Sequence, residues 1–249
     1  EILTLPSASV LAALRRETTN REPARKTIAV LADPVFEETD ERINGRKSGA
    51  PDNSRTEQNG VRGVTMDGDP DSAATFARLP YTRREAEAIV AHVPESDRKV
   101  ALGFDANRAL AVSSELATYR YLHFATHGLL NSEHPELSGL AFSLFDERGE
   151  KQNGFLRGLD VYNLRLSAEL VVLSGCRTAL GKEINGEGLM SMTRGFMYAG
   201  ARRVLAGLWN VNDAATAELM RRFYREMLGK NRLAPAAALP ITARNSSTS

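Results

Sequence analysis

Two stretches decide the fold of this chain: Tyr-Leu-His-Phe-Ala-Thr-His-Gly at 121–128 and Leu-Val-Val-Leu-Ser-Gly-Cys-Arg-Thr at 170–178. Each begins as a short apolar run and ends in a reactive side chain beside a glycine. Short apolar runs bounded by turn residues are typical of strands that are buried on both faces of a sheet. In a parallel α/β sheet, ligands bind at the carboxyl ends of the strands. The two stretches therefore predict a crevice across which His127 and Cys176 face each other.

Working outward, apolar runs alternate with stretches of helical spacing along the chain. This alternation predicts an α/β fold with a mostly parallel six-stranded sheet and helices on both faces. The predicted strands are 26–33, 100–104, 121–125, 138–146, 170–173 and 203–208. Thr82 and Glu85 have the spacing of a capping box at the start of a helix. Gly200 suits the end of the helix that contains Phe196 and Met197.

The domain boundaries follow from composition. We expect a single domain over residues 1–235, interrupted by a polar stretch at about 37–72 that is rich in Gly, Asp, Asn and Arg. A loop of that length without apolar periodicity is typical of a flexible surface insertion. Residues 236–249 end in Asn-Ser-Ser-Thr-Ser, and we expect them to form a disordered tail.

Charge and composition exclude several classes of function. The formal net charge of +1 gives no reason to expect a nucleic-acid partner or an anionic membrane surface. No apolar run reaches the roughly 20 residues that span a bilayer. The single cysteine excludes an internal disulfide and favours a reducing compartment, so we expect a cytoplasmic protein.

The residue types at the two strand ends favour acyl-transfer chemistry. A thiol attacks carbonyl groups as its thiolate, and a nearby imidazole activates it. Gly128 has no Cβ and follows His127, so its N–H and that of Cys176 are candidate donors to an oxyanion. Taken singly, Cys176 is better explained as an inert core residue and His127 as a structural histidine; it is the pairing of His-Gly and Gly-Cys at two strand ends that favours the catalytic interpretation.

Several motifs follow one another in a specific order: Phe-Ala-Thr-His-Gly at 124–128, Val-Leu-Ser-Gly-Cys-Arg-Thr at 172–178, Gly-Glu-Gly at 186–188, and Gly-Ala at 200–201 through Leu-Trp at 208–209. This order resembles the CHAT domain, a caspase-like peptidase domain that is often joined to tetratricopeptide repeats. The resemblance implies a caspase-like three-layer sandwich. It implies His127 as general base, Cys176 as nucleophile, and the Gly128 and Cys176 amides as the oxyanion hole.

The chain departs from the pattern of this family in two places. The usual Ser-Ala-Cys is Ser-Gly-Cys here, and we expect the glycine to loosen the turn. The tail after Leu233 lacks the closing amphipathic segment of the family, so we expect that edge of the domain to be less stable.

A substrate pocket is predicted from acidic residues near the strand ends. The Trp209–Asp213 pair resembles the pattern of separase, in which a carboxylate pairs with a basic substrate side chain beside an apolar wall. Asp213 is equally well explained as a helix cap. Asp33, before Pro34, is a second pocket candidate, although turn formation explains it as well. Asp160 is a third.

Two further patterns point away from cofactors. Gly-Glu-Gly at 186–188 is better explained as a tight turn than as a phosphate site, because no Lys-Ser pair follows. His123 and His127 lie on a strand without a glutamate between them, which argues against zinc. We therefore expect neither a metal nor another cofactor.

The sequence thus predicts a cysteine endopeptidase that cleaves a protein or peptide, with preference for a basic residue. We expect it to act as the effector module of a larger regulated protein, with an N-terminal repeat region or regulatory partner outside this chain. The main alternative is a catalytically idle interaction domain of the same fold. A nucleotide or phosphate binder is a third hypothesis, which the missing phosphate loop disfavours.

Overall fold

The computed structural model describes residues 23–43, 63–65, 76–130, 138–175, 187–207 and 212–246. No helix in these ranges is long and apolar enough to cross a bilayer. The strands are β1 (Lys26–Ala32), β2 (Gly63–Thr65), β3 (Arg98–Leu102), β4 (Tyr119–Ala125), β5 (His127–Leu130), β6 (Gly139–Ala141), β7 (Phe155–Arg157), β8 (Leu170–Leu173) and β9 (Val204–Ala206). The helices are α1 (Pro80–Val90), α2 (Arg108–Ala111), α3 (Gly158–Tyr162), α4 (Glu187–Tyr198), α5 (Asp213–Leu228) and α6 (Pro235–Ser246).

The main sheet has five parallel strands in the order β3-β1-β4-β8-β9. Strand β4 is central and pairs with β1 on one side and β8 on the other. Because every strand is parallel, all carboxyl ends lie at one edge of the sheet. This edge places the ends of β1, β4 and β8 side by side.

Both faces of the main sheet are covered, which explains why its strands are almost wholly apolar. On β4, Leu122 and Phe124 pack on one side with residues of α4, among them Met192 and Phe196. Tyr121 and Ala125 pack on the opposite side with residues of α1, α5 and α6. Alternate residues of one strand thus enter two separate cores, as the period of a strand requires. The predicted α/β sandwich with a mostly parallel sheet is confirmed.

A second sheet, in the order β2-β5-β6-β7, begins where β4 ends. Strand β4 stops at Ala125 and β5 starts at His127, so only Thr126 separates the two sheets. Thr126 is fully buried and donates its hydroxyl to the Ala141 carbonyl on β6. This junction fixes the direction in which the chain leaves the main sheet.

The prediction of six strands in one sheet is wrong in the described part of the chain. The stretch 138–146, predicted as a main-sheet strand, supplies β6, which pairs antiparallel with β5 and β7 in the second sheet. Alternating apolar residues favour a strand but do not specify its partner. The other five predicted strands do form the main sheet, with bounds that differ from the predicted ones by at most two residues at each end.

Two predicted flexible segments are partly ordered. Within the expected insertion, Ile43 is buried, Arg42 binds Asp33, and Gly63–Thr65 forms β2 against β5; residues 44–62 and 66–72 lie outside the described residues. The expected disordered tail forms α6, in which Ala238 and Thr242 are buried. Alanine favours helix, the polar residues on which the prediction rested lie at the end of the segment, and Ala238 is buried with residues of α5. The domain therefore extends beyond residue 235.

Helix α1 does not begin with the predicted capping box. It starts at Pro80, and Thr82 lies inside the first turn, where its hydroxyl donates to the Leu79 carbonyl and accepts the Asp33 N–H. Glu85 points into the core, not back to the helix start. By contrast, Gly200 has φ of 116°, which confirms that a glycine is needed after α4.

Candidate active site

The register of β4 and β8 decides which residues meet at the sheet edge. Tyr121 pairs with Leu170 and Phe124 with Leu173, a constant offset of 49 positions (170 − 121 and 173 − 124). Beyond the last pair, the Ser174 N–H still donates to the Phe124 carbonyl at 2.9 Å. The two chains therefore remain side by side as they leave the sheet.

Gly175 packs directly on the backbone of Thr126. A Cβ added at Gly175 would overlap the Thr126 carbonyl group, so residue 175 must be glycine for the two backbones to approach this closely. The expectation that this glycine loosens the turn is wrong, because it permits a tight contact. Cys176 follows Gly175 in the sequence and lies outside the described residues.

His127 is buried, with 2% of its surface exposed, and its ring packs against two phenylalanines that also contact each other. The ring centroids of Phe36 and Phe76 are 5.0 and 5.5 Å from that of His127. His127 Nε2 lies 2.7 Å from the Ala77 carbonyl oxygen. A carbonyl oxygen only accepts hydrogen bonds, so Nε2 carries the proton in the neutral ring, and Nδ1 carries the lone pair. The Ala77 carbonyl thus selects the tautomer in which Nδ1 is the base.

Gly128 lies in the middle of the second sheet, paired with Gly63 on β2 and Leu140 on β6. It follows His127 directly and is buried. Its role as an oxyanion donor stays a prediction.

Asp33 is fully buried at the carboxyl end of β1, with φ of 51° where the chain turns away from the sheet. Three arginines bind its carboxylate. Arg78 binds through Nε at 2.9 Å and Nη2 at 3.1 Å, Arg83 through Nε at 2.8 Å, and Arg42 through Nη1 at 3.1 Å. The hydrogen bond to Asp33 raises the pKa of Arg78 above its ordinary value. The carboxylate predicted to bind a basic substrate is therefore neutralised by arginines of the chain itself.

Asp213 is buried at the start of α5, but it caps a different helix. Its Oδ2 accepts the Tyr81 N–H in the first turn of α1 at 3.0 Å. The cap of α5 itself is Asn212, whose side chain accepts the Ala215 N–H at 3.0 Å. Asp213 therefore caps α1 and not α5, the helix that it begins, so the alternative that it caps the following helix is wrong.

The other two pocket candidates are not brought to His127 by the described contacts. Asp160 binds Arg108 at 2.7 Å and accepts the Arg157 N–H at 2.9 Å, so its contacts serve the start of α3. Trp209 lies outside the described residues. The residues that do contact His127 are Phe36, Phe76 and Ala77, and no sequence motif marks any of them.

A buried polar cluster beside the sheet edge was also missed. Glu85 Oε1 lies 2.8 Å from His123 Nε2, and it accepts the Ser174 hydroxyl; Tyr224 Oη lies 3.1 Å from His123 Nδ1. Burial raises the pKa of Tyr224 well above its ordinary value, and the nearby Glu85 charge adds to this effect. A signal was present in the sequence, because Glu85 lies on the apolar face of α1 with Ala86 and Ile89.

Within the described ranges, no group of three or more His, Cys, Asp or Glu side chains is arranged to hold a metal ion. His123, considered above with His127 as a zinc ligand, instead uses both ring nitrogens in the buried cluster.

The mostly parallel sheet, the helices on both faces and the histidine at the carboxyl end of its central strand define a caspase-like α/β sandwich. The sequence profile of the CHAT domain matches residues 1–245. The chain therefore belongs to the CHAT domain family.

Two curated relatives are similar to part of the chain. Tetratricopeptide repeat protein 28 of Mus musculus is 42% identical over 84 residues, which are 34% of this chain and 3% of the relative. Tetratricopeptide repeat protein 28 of Homo sapiens is 38% identical over 88 residues, or 35% of this chain and 3% of the relative. The matched segment is thus a small part of these much longer proteins.

Proposed function

We propose that this chain is a cysteine endopeptidase that uses His127 as general base and Cys176 as nucleophile. The observation that carries the proposal is the offset of 49 positions between paired residues of β4 and β8. His127 and Cys176 are separated by the same number of positions (176 − 127), which supports the proposal that they face each other just beyond the sheet edge. The contact of Gly175 with Thr126 supports it as well, since each residue directly precedes one member of the pair.

The tautomer of His127 supports the role of a base. With the Nε2 proton held by the Ala77 carbonyl, Nδ1 accepts the proton of the Cys176 thiol. The thiolate attacks the scissile carbonyl carbon and forms a C–S bond. His127 then donates the proton to the leaving amine as the C–N bond breaks, which leaves a thioester. A water molecule, deprotonated by Nδ1, hydrolyses the thioester and restores the thiol.

The Gly128 and Cys176 amides are proposed as donors to the oxyanion of the tetrahedral intermediate. Two backbone donors aimed at the developing charge are usually among the largest contributions to acyl-transfer catalysis. The burial of His127 against Phe36 and Phe76 supports the site as well, because exclusion of water strengthens such interactions.

The proposed substrate is a protein or peptide that is cleaved after a basic residue. Asp33 is an unfavourable pocket residue, because a basic substrate side chain would have to displace Arg78 or Arg83 from it. Asp213, with Trp209 as an apolar wall, therefore carries this part of the proposal.

The domain is further proposed to work as an effector module next to a tetratricopeptide-repeat region that gates its activity. The names of the two relatives support this, since both are called tetratricopeptide repeat proteins. A cytoplasmic location completes the proposal, and the single cysteine favours it.

Cleavage of a fluorogenic peptide library by the chain tests the proposal, with Cys176→Ala and His127→Ala measured beside it. We expect turnover in the unmodified chain, a loss in both variants, and a preference for Arg or Lys before the scissile bond. Turnover that survives in Cys176→Ala would contradict the proposed nucleophile. Absence of turnover in all three chains, both alone and joined to a repeat region, would favour the idle interaction domain.

A further inference from the structure

Four polar side chains form a continuous buried chain between the helices of one face and the strand that leads to Cys176. Tyr224 on α5 contacts His123 on β4, His123 contacts Glu85 on α1, and Glu85 accepts the hydroxyl of Ser174, the residue after β8. His123 and Tyr224 are fully buried, and Glu85 is 1% exposed. The proposed mechanism uses none of them.

The hydrogen bonds of this cluster are consistent with one proton arrangement. The phenol of Tyr224 stays protonated, because its pKa is raised well above the ordinary value, and it can donate to His123 Nδ1. With Nδ1 as the acceptor, His123 donates its Nε2–H to Glu85. Glu85 Oε1 accepts from both His123 and Ser174.

Stability alone is a poor reason for such a cluster. Taking a carboxylate out of water is costly, and buried ionisable groups can often be replaced by apolar residues with no loss of stability. Glu85 stands on the apolar face of α1, where a hydrophobic side chain would pack against Ala86 and Ile89. A contribution to the geometry of the candidate site explains these buried polar residues better than packing does.

The position of Ser174 indicates that role. Ser174 is held from two directions, through its N–H on Phe124 and its hydroxyl on Glu85. The next residue, Gly175, packs directly against the backbone of Thr126. Cys176 follows directly, so the placement of its thiol relative to His127 depends on how these two residues are held.

We propose that Glu85 and Ser174 are positioning residues for the Cys176 thiol, with His123 and Tyr224 fixing the Glu85 carboxylate. This inference rests on the proposed function, whose nucleophile it concerns. It extends the site from two residues to a hydrogen-bonded chain that reaches α5, the helix that begins at Asp213.

The test compares Ser174→Ala and Glu85→Gln with the rescue variant Ser174→Thr, which keeps the hydroxyl. Thr242→Val is the matched control, because it removes a buried hydroxyl bonded to the Ala238 carbonyl on α6. Two quantities are measured: kcat and KM on the best peptide, and the pH dependence of iodoacetamide alkylation. Cys176 is the single cysteine of the chain, so alkylation reports on it alone.

We expect Ser174→Ala and Glu85→Gln to lower kcat by about 10- to 100-fold, as small misplacements of a reacting group do. KM should change little, and the alkylation profile should shift to higher pH. Ser174→Thr should restore both quantities, and Thr242→Val should leave both as in the unmodified chain. Tyr224→Phe, which removes one hydroxyl and keeps the ring, should shift the profile in the same direction by less.

An alkylation profile of Ser174→Ala equal to that of the unmodified chain would overturn the inference, whether or not peptides are cleaved. An equal loss in Thr242→Val would overturn it too, because the effect would then follow stability. Failure of the unmodified chain to cleave any peptide, combined with a shifted profile in Ser174→Ala, would count against the peptidase and for the positioning role.

Discussion

Single residues set the geometry of the candidate site through the backbone as much as through side chains. The Ala77 carbonyl selects the tautomer of His127, and Gly175 permits contact with Thr126. Neither residue carries a reactive group, so neither attracts notice in a search for catalytic side chains. Gly175 lies where two chain segments approach too closely for a side chain, and Ala77 acts through its backbone carbonyl alone.

Gly175→Ala tests the closest of these approaches. Its Cβ would overlap the Thr126 carbonyl group, and the clash is with backbone, which does not move aside easily. We expect a loss of about 3 kcal/mol or more in the free energy of unfolding, at or above the upper end for overpacked sites. Chemical denaturation measures it.

Gly195→Ala is the control for this substitution. Its nearest neighbour would be a side-chain methyl group, Val161 Cγ1 at 3.2 Å, which can yield. Alanine is favoured over glycine inside a helix by about 1 kcal/mol, so the net change should stay within about 1 kcal/mol. Equal effects of the two substitutions would argue against the close contact at Gly175.

A pH effect is expected at Glu218 on the surface of α5. The hydrogen bond from Arg221, with a further one from Arg222, lowers the pKa of Glu218 from 4.5 to about 2. Because the pKa of Glu218 is lower in the folded state than in the unfolded state, the ionised carboxylate stabilises the fold at pH values above its ordinary pKa of 4.5. This stabilisation is lost as the pH falls from 4.5 towards about 2. Because the pair is largely exposed, Glu218→Gln should cost at most about 1 kcal/mol near neutral pH.

The measurement is the difference in the free energy of unfolding between Glu218→Gln and the unmodified chain, followed from neutral pH down to about pH 2. The difference should shrink as the medium becomes acidic. A difference that grew on acidification would have the opposite sign from that expected of a lowered carboxyl pKa.

At the scale of elements, the start of α1 connects three parts of the sheet edge. The segment before the helix holds His127 through Ala77 and binds Asp33 through Arg78. In the first turn, the Tyr81 N–H donates a hydrogen bond to the side chain of Asp213 on α5. Movement of α1 would therefore reach the base, the buried aspartate and the proposed pocket residue together.

Asp213→Asn separates the two roles given to that residue. An asparagine side-chain oxygen can still accept the Tyr81 N–H, so stability should fall by no more than about 1 kcal/mol. The negative charge is lost, so kcat/KM for peptides with Arg before the scissile bond should fall by about 10- to 100-fold, the size expected for a charged hydrogen bond. Kinetics on matched Arg and neutral peptides measure this.

Asn212→Ala is the neighbouring control, since it removes the cap of α5 and leaves the charge of Asp213 in place. It should lower stability by about 1 kcal/mol without a change in preference. A shift of preference in Asn212→Ala, or none in Asp213→Asn, would contradict the assignment of the pocket.

Helix α6 can be tested by the contrast between two adjacent alanines. Ala238 is fully buried among the residues that α5 packs against, whereas Ala237 is exposed. Ala238→Asp should lower the free energy of unfolding by about 3 kcal/mol or more, because it buries an unpaired charge. Ala237→Asp should be near neutral, as an acidic residue in a first helical turn is favourable. Equal, small effects would return residues 236–246 to the predicted disordered tail.

For the molecule as a whole, the sequence predicted the strands that are short, continuous apolar runs. Strands such as Tyr119–Ala125 and Leu170–Leu173 are buried on both faces of the sheet, so consecutive apolar residues mark them in the sequence. The second sheet was missed because Gly63–Thr65 is too short to show a period, and because the alternation at 138–146 predicts a strand without specifying its partner. Their pairing is set by the fold around them.

The candidate site was predictable only where the chemistry is local. His127 stands next to Gly128 at the end of an apolar run, which marks it in the sequence. Glu85, by contrast, was assigned to a capping box because Thr82 precedes it at the right spacing, and only the packing of α1 shows that it points inward. The three arginines that bind Asp33 lie at positions 42, 78 and 83, so no local sequence pattern predicts that they contact its carboxylate.

The central claim is that His127 activates Cys176, and the pH dependence of Cys176 alkylation tests it most directly. With one cysteine in the chain, the rate of iodoacetamide reaction between about pH 5 and about pH 10 reports on that thiol alone. We expect rapid reaction near neutral pH in the unmodified chain, and in His127→Ala a slower reaction that follows an ordinary thiol pKa of about 8.5. Identical profiles for the two chains would contradict the account.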